Sequence, residues 1–276
     1  MLEATLLALG SAALHAAWNL LVKTSEDRFL AAWGQFLVGG LLFVPWLVLT
    51  GLPGSDAWPY LGASSVVHVL YTGALLCAYY HGDFSVAYPV ARGGGAVAAA
   101  VGGVAFLDDR LSGLAWVAIA VVACGLVTLV SPNVTGYALA WAATTALTIG
   151  TYTTLDVAGA RDSESGFAYG IVLILGAGTA LTVVGLAMGR GKAFVRSLPG
   201  SWKRYAFGGA FSTLAYAMVL TAARLAPVGY VAALRESSVV LGAAAGWLLL
   251  HEALGRRRLA AALVVVTGLV LLVAWR

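Results

Sequence analysis

RGGGAVAAAVGGVAFLDDRL (residues 92–111) and RESSVVLGAAAGWLLLHEAL (residues 235–254) share one layout. Each opens on an arginine, runs through small and apolar residues, and closes on an acid two positions before a leucine. The pairs Arg92 and Arg235, Asp109 and Glu252, and Leu111 and Leu254 stand at one common offset of 143 residues. A pattern that returns at about half the chain length marks a duplicated unit. In membranes such duplications build carriers, with the substrate site between the two copies.

Composition places the chain in a membrane. Hydrophobic residues make up 61% and charged residues 10%, against roughly 25% charged in soluble domains. Too few polar side chains remain to coat a water-facing surface, so lipid is the main solvent. The net charge of +4 is small and sits in the connections, which argues topology and excludes a nucleic-acid-binding surface. Cys77 and Cys124 both lie in apolar runs, so neither a disulfide framework nor a metal site is expected, and no cofactor motif is present. Residues 2–21 lack a basic leader and carry His15, Trp18 and Asn19, so a retained first helix is expected rather than a signal peptide.

Ten apolar segments, near 2–22, 29–50, 57–80, 84–106, 113–131, 135–155, 166–189, 204–222, 226–250 and 259–275, are each long enough to cross a bilayer as a helix. Most breaks are short; the one long connection is 190–203, RGKAFVRSLPGSWK. An odd number of helices per unit inserts the second copy from the opposite side. The expected fold is therefore all-α and polytopic, ten transmembrane helices in an inverted five-plus-five repeat, with units 1–131 and 135–276. Loops after odd-numbered helices hold ten Lys and Arg, while the termini and even loops hold four (Arg110, Arg161, Arg224 and Arg276). Basic residues stay on the cytoplasmic side, so the odd loops are placed there and both termini outside the cell's inner membrane.

Arg92 and Arg235 are the two basic residues well inside a span, and Glu236 adjoins the second. A charge at mid-bilayer costs at least ~2.5–3.5 kcal/mol and needs a partner or a wet cavity. Pro89 lies three positions before Arg92 and Gly93, Gly94 and Gly95 follow it, a combination that weakens a helix. Beside an interrupted helix a guanidinium can present its planar fork to a carboxylate or phosphate; the other reading is a scaffold pairing with a protein carboxylate. Neighbouring helical positions point about 100° apart, so Arg235 and Glu236 each need a partner on another helix.

Helix 1 puts Ser11, His15, Trp18 and Asn19 on one face, with Lys23 continuing the stripe. Helix 3 does the same with Ser64, Ser65, His68, Tyr71 and Thr72. Tyr152 in helix 6 and Tyr216 in helix 8 complete the polar set. Such stripes face protein or water; they line a cavity or hydrogen-bond helix to helix. His15 and His68 titrate near neutrality when solvated. Asp109 and Glu252, each closing its repeat beside arginines, are expected to cap the short turn into the next helix.

The repeated signature and the ten short-looped helices resemble the EamA-like branch of the drug/metabolite transporter superfamily. There each half ends its fourth helix in a Pro-x-small run followed by Gly-Glu-x-Leu. Here the first copy reads Tyr88-Pro89-Val90-Ala91-Arg92-Gly93 and then Asp108-Asp109-Arg110-Leu111, and the second ends His251-Glu252-Ala253-Leu254. Asp replaces Glu in the first and His replaces Gly in the second. With Leu14-His15-Ala16-Ala17-Trp18-Asn19, these residues are similar to a subgroup of largely unassigned substrate. The resemblance implies a secondary carrier or exporter, not an enzyme, with helices 1, 3, 4, 6, 8 and 9 around a central cavity. Helices 5 and 10 would lie outside that ring, where a second copy could dock. Its relatives commonly keep their termini in the cytoplasm, opposite to the Lys/Arg count. Candidate substrate-binding residues are Arg92, His15, Trp18, Asn19, His68, Tyr71, Tyr88, Tyr152, Tyr216, Arg235 and Glu236.

Helix 1 holds no acid beyond Glu3, which a carrier of lipophilic cations would need there. With Arg92, His15 and His68 at depth, an anionic or zwitterionic metabolite such as an amino acid or an organic phosphonate or phosphate fits better. A lipid flippase or scramblase is the alternative. An intramembrane lipid enzyme would need a nucleophile–base pair or histidine cluster, and the four histidines lie in separate segments. The orientation has a direct check. Cysteine variants at Ser197 or Gly255 should react with an impermeant thiol reagent only after cells are permeabilised; ready labelling of intact cells reverses the topology.

Overall fold

The computed structural model describes residues 1–81, 84–129, 135–250 and 256–274. Twelve α-helices account for nearly all of these residues: α1 (Leu2–Lys23), α2 (Arg28–Leu42), α3 (Val44–Thr50), α4 (Trp58–His81), α5 (Phe84–Phe106), α6 (Gly113–Val127), α7 (Gly136–Asp162), α8 (Gly166–Ala187), α9 (Gly191–Leu225), α10 (Val228–Arg235), α11 (Ser237–Leu250) and α12 (Arg256–Ala274). They map onto the ten expected segments because two segments are broken. The second divides into α2 and α3 at Phe43, where Pro45 cannot donate to the preceding turn. The ninth divides into α10 and α11 at Glu236 with no proline, through a tightened turn in which Glu236 N–H donates to Ala233 O at 3.0 Å and Val239 N–H to Glu236 O at 3.0 Å.

Four helical stretches are long and apolar enough to cross a membrane by length and composition: Leu2–Val22, Phe29–Thr50, Gly166–Ala187 and Gly191–Leu225. Shorter apolar helices cover Val90–Phe106, Gly113–Val127 and Leu259–Ala274. α7 is longer but more polar, and its polar residues Thr145, Tyr152, Thr154 and Asp156 are buried. Size is sorted in the reverse of a soluble core. Ala4, Ala8 and Ala12 of α1 are fully buried, while Leu49 is 85% and Val48 79% exposed. Lipid is as apolar as leucine, so large side chains gain little by turning inward and small ones let backbones approach.

Two sequence expectations change here. The stretch 190–203 is not a loop: it forms the start of α9, a 35-residue helix with Pro199 inside it. At about 1.5 Å per residue α9 outruns the bilayer core, and its first turns lie against α2. Phe194 stacks on Trp33 at 4.2 Å between ring centroids, and Tyr205 meets Trp33 edge-on at 6.1 Å. The glycines after Arg92 do not break α5, which runs unbroken to Phe106. They are packing surfaces instead: a Cβ on Gly95 would sit 2.6 Å from Ile149 Cγ2 of α7, and one on Gly94 2.8 Å from Ala146 Cβ.

Polar clamps close the helix ends on both faces. On one, Arg190 pairs with Asp27 and Arg204 donates to Leu21 O at 2.7 and 3.1 Å and to Thr24 Oγ1, tying α9 to the end of α1. On the other, Arg161 of α7 donates to Asp109 Oδ1 at 2.8 Å, Ala223 O at 3.0 Å and the carbonyls of Leu107 and Ala226. Asp109 Oδ2 accepts the Val228 N–H at 2.6 Å. Asp109 therefore caps the start of α10, more than a hundred residues away, and pairs with Arg161. The turn into α6 is capped by Ser112, whose Oγ accepts from Ala115 N at 3.1 Å. Glu252, the repeat partner of Asp109, lies outside the described residues.

A backbone-to-backbone crossing joins α2 to α9 at Gly39 and Gly209, where a Cβ on either would come within 2.5 Å of the other's backbone. Backbone cannot step aside, so overpacking of ~1–3 kcal/mol follows. Gly39→Ala and Gly209→Ala should each lower the thermal midpoint in detergent. Gly62→Ala, with nothing within 4 Å, should leave it unchanged or raise it. Equal midpoints for all three would disprove the close crossing.

Candidate functional site

Deep polar residues from six helices converge where α10 breaks into α11. Arg92 of α5 meets Glu236 as a two-pronged pair, Nε to Oε2 at 3.1 Å and Nη2 to Oε1 at 2.6 Å. Both side chains are nearly buried, 11% and 5% exposed. This is the scaffold pairing that the sequence left open for Arg92, and it supplies the off-helix partner Glu236 needs. The expected break beside Arg92 is found beside Glu236 instead.

Arg235, one position earlier, points elsewhere. Its Cζ lies 5.5 Å from the centre of the Tyr216 ring, and Nη2 stands 3.4 Å from His15 Nδ1. Among the described residues no carboxylate lies within ion-pair distance of it, and its buried Nε has no hydrogen-bond partner. Two more orphans follow directly, since the hydroxyls of Ser237 and Ser238 are also buried and unpartnered. Helical serines ordinarily bond back to the preceding turn; the break at Glu236 disturbs that turn.

A carboxylate that sequence reading missed sits on the other side of Tyr216. Asp156 of α7 is fully buried. Tyr216 donates its hydroxyl to Oδ2 and Tyr169 of α8 donates to Oδ1 at 3.4 Å, with Ser64 of α4 close by. The sixth span was ended at residue 155, one position short, whereas α7 continues to Asp162. An acid in the run between Tyr152 and Arg161 was the available signal; the apolar count alone hid it.

The aromatic set assembles around α7. His68 stacks on Tyr152 at 4.2 Å with 28° between planes, and Tyr71 meets Tyr152 edge-on at 5.5 Å. His68 Nδ1 also lies 2.9 Å from Ser64 O and 3.2 Å from Ser64 Oγ. Trp18 packs edge-on against His15 at 4.8 Å and against Phe36 at 6.3 Å. Asn19 turns back on its own helix, its amide donating to His15 O at 2.7 Å, and Ser11 donates to Ala215 O of α9 at 2.6 Å. Both serve helix geometry. The side chains of Tyr88 and Lys23 lie outside the described residues. A cavity between α5, α7, α9 and α10 is lined by Arg92, Arg235 and Glu236 at its polar end and by Ala99, Val157 and Val231 among others. It is just large enough for an ordered water.

Ten helical segments, lipid-facing bulk and a deep ionic cluster suit a carrier. The model of the EamA-like transporter family matches residues 136–274. The chain belongs to that family. As an EamA-like protein it is a membrane transporter of small molecules. A solved crystal structure of a protein is similar over 99% of each chain with a TM-score of 0.78. At 15% identity that likeness speaks for the fold alone. A comparison with curated proteins gave no match.

In this EamA-like protein the Arg92–Glu236 pair can be tested by a cycle. Removing one partner of a buried pair costs ~3–5 kcal/mol, while replacing both by apolar groups can be neutral. Arg92→Met and Glu236→Met should each lower the thermal midpoint sharply, and the double variant should recover most of the loss. A double variant whose loss equals the sum of the two single losses would mean that the two side chains do not depend on each other.

Proposed function

We propose that this transporter carries a small anionic or zwitterionic metabolite, such as an amino acid or an organic phosphonate or phosphate, by alternating access at the α10–α11 break. The observation that carries the reading is the group of unsatisfied donors there: Arg235 Nε, Ser237 Oγ and Ser238 Oγ, all buried and unpartnered. Buried polar groups are normally hydrogen-bonded, so donors left open on both sides of one helix break favour an acceptor arriving from outside. Arg92 and Glu236 cancel each other, which among the described residues leaves Arg235 as a deep positive charge with no carboxylate within ion-pair distance. The anchor for an anion is therefore Arg235, with Arg92 entering only if the substrate parts it from Glu236. A zwitterion could do so, its anionic group meeting Arg92 and its cationic group Glu236. Tyr216, His15, Trp18, Tyr152, His68 and Tyr71 would form the walls.

The halves 1–131 and 135–276 are proposed as an inverted repeat whose relative tilt opens the site to either side. In support, α4 and α5 of the first half pack along α7, and in the second half α9 and the α10–α11 pair pack along α1. α6 also packs on α12 as counterpart helices would. These two helices leave Leu114, Val117, Leu263 and Val270 facing outward, where a second copy would sit. The Lys/Arg asymmetry supports the odd-numbered connections in the cytoplasm and the termini outside the inner membrane. A lipid flippase remains the competing reading, and the enclosure of the ionic cluster counts against it.

Purified protein screened by thermal shift against small anions and zwitterions should yield a stabilising class; a ligand at a hundred times its dissociation constant adds about 2.7 kcal/mol. Arg235→Met should remain folded and lose that shift, and Arg235→Lys should keep only part of it because the fork is gone. A ligand shift that survives Arg235→Met overturns the assignment. Movement of labelled lipid, and of no labelled solute, in reconstituted vesicles would favour the flippase.

A further inference from the structure

Asp156 is fully buried, within a membrane-spanning helix, and among the described residues it lies in no ion pair. Its hydrogen-bond partners are hydroxyls, Tyr216 on Oδ2 and Tyr169 on Oδ1, and the Ser64 hydroxyl is close by. A carboxylate taken from water without a cation is held only at great cost, and the usual escape is to bind a proton. Hydroxyl partners suit this because they serve either protonation state. With the acid ionised, all three can donate. With a proton on Oδ1, that O–H donates and the Tyr169 hydroxyl turns to accept, while Oδ2 becomes the carbonyl that still receives Tyr216.

The surroundings give the proton a route and a consequence. From α4, His68 and Ser64 both lie near Asp156, with His68 Nδ1 3.2 Å from Ser64 Oγ. From α9, Tyr216 holds Asp156 by its hydroxyl and Arg235 by its ring face. Further titratable or charged neighbours are Tyr169 on α8, Tyr152 one turn earlier on α7, Arg92 on α5, Glu236 at the α10–α11 break and, against Arg235, His15 of α1 with Nδ1 3.4 Å from Nη2. Farther along, Tyr60 of α4 is coupled to Tyr169 and to Asp162. One phenol thus separates an acid and a guanidinium that, among the described residues, each lie in no ion pair.

We infer that Asp156 is a proton-binding site coupled through Tyr216 to the anion site at Arg235, so that a proton and an anion load together. When Asp156 is ionised its charge partly compensates Arg235 and weakens the pull on an anion. When it is protonated, Arg235 is left to attract one. The coupling is reciprocal: an anion on Arg235 removes the positive charge that stabilises ionised Asp156 and so favours proton uptake. This rests on Arg235 being the anion site, and it makes the carrier one in which proton and anion bind in the same state.

The test needs no identified substrate. Infrared difference spectra of the full chain in lipid vesicles, recorded while pH is stepped, report the carbonyl stretch of any neutral carboxylic acid. A titrating band should be present in the wild-type protein, be lost in Asp156→Asn, shift in frequency in Asp156→Glu, and persist in Glu236→Gln. Arg235→Met stands in for the anion-occupied site by removing the same charge, so its band should persist to higher pH than in the wild type. Arg235→Lys should titrate as the wild type does, and Tyr216→Phe should narrow the difference. A band that survives Asp156→Asn, or no neutral-carboxyl band across the neutral pH range, refutes the proton site. An identical titration in Arg235→Met refutes the coupling. Failure of the transport reading is separable: a protein that moves no solute can still show the Asp156 band, and one that transports without the band loses only this inference.

Discussion

Keeping charge inside a bilayer-spanning protein is the constraint on which the rest of this structure turns, and the Arg92–Glu236 pair meets it. Each ion alone would cost several kcal/mol at depth. Joined by two hydrogen bonds, one of them 2.6 Å long, they become a neutral unit connecting α5 to the start of α11. They also bring two distant parts of the chain into register, since the residues are 144 positions apart. Other deep groups are arranged relative to this pair. Among the described residues Arg235 meets no acid within ion-pair distance and turns to Tyr216 and His15, while Asp156 lies in no ion pair and is held by hydroxyls.

Packing makes the cluster possible. Alanine and glycine line the helix faces that touch, so α5, α7 and α9 approach closely enough for side chains from six helices to share one small volume. Gly150 against Ala98 and Gly268 against Val122 repeat the device seen at Gly39 and Gly209. In water this pattern would waste apolar surface. In lipid it does not, because the bulky residues remain in an apolar solvent. Close approach also draws the cavity down to about one water, so a substrate could enter only if some of these contacts separate.

The clamps at the helix ends indicate where separation has to be resisted. Asp109 and Arg161 bind the ends of α5, α7 and α9 to the start of α10, whose first residues face the cavity wall. Arg204 and Arg190 hold the other face through backbone carbonyls and Asp27. Arg161 and Arg204 each serve more than one acceptor, a geometry suited to a planar guanidinium.

By itself the sequence determined the membrane class, the ten helical segments and the depth of Arg92, Arg235, Glu236, His15 and His68. Those are properties of a residue and its neighbours along the chain: apolar length, helical spacing, and the cost of placing a charge in lipid. Only the tertiary structure decided who meets whom. Nothing along the chain couples Arg92 to Glu236 rather than to substrate, sends Asp109 to Arg161 and Val228 rather than to its own turn, or sets Asp156 behind Tyr216. Nor could composition show that α5 stays whole through its glycines while the ninth segment breaks at Glu236, where no proline stands. Helix propensity favours the opposite outcome, and packing against α7 overrides it.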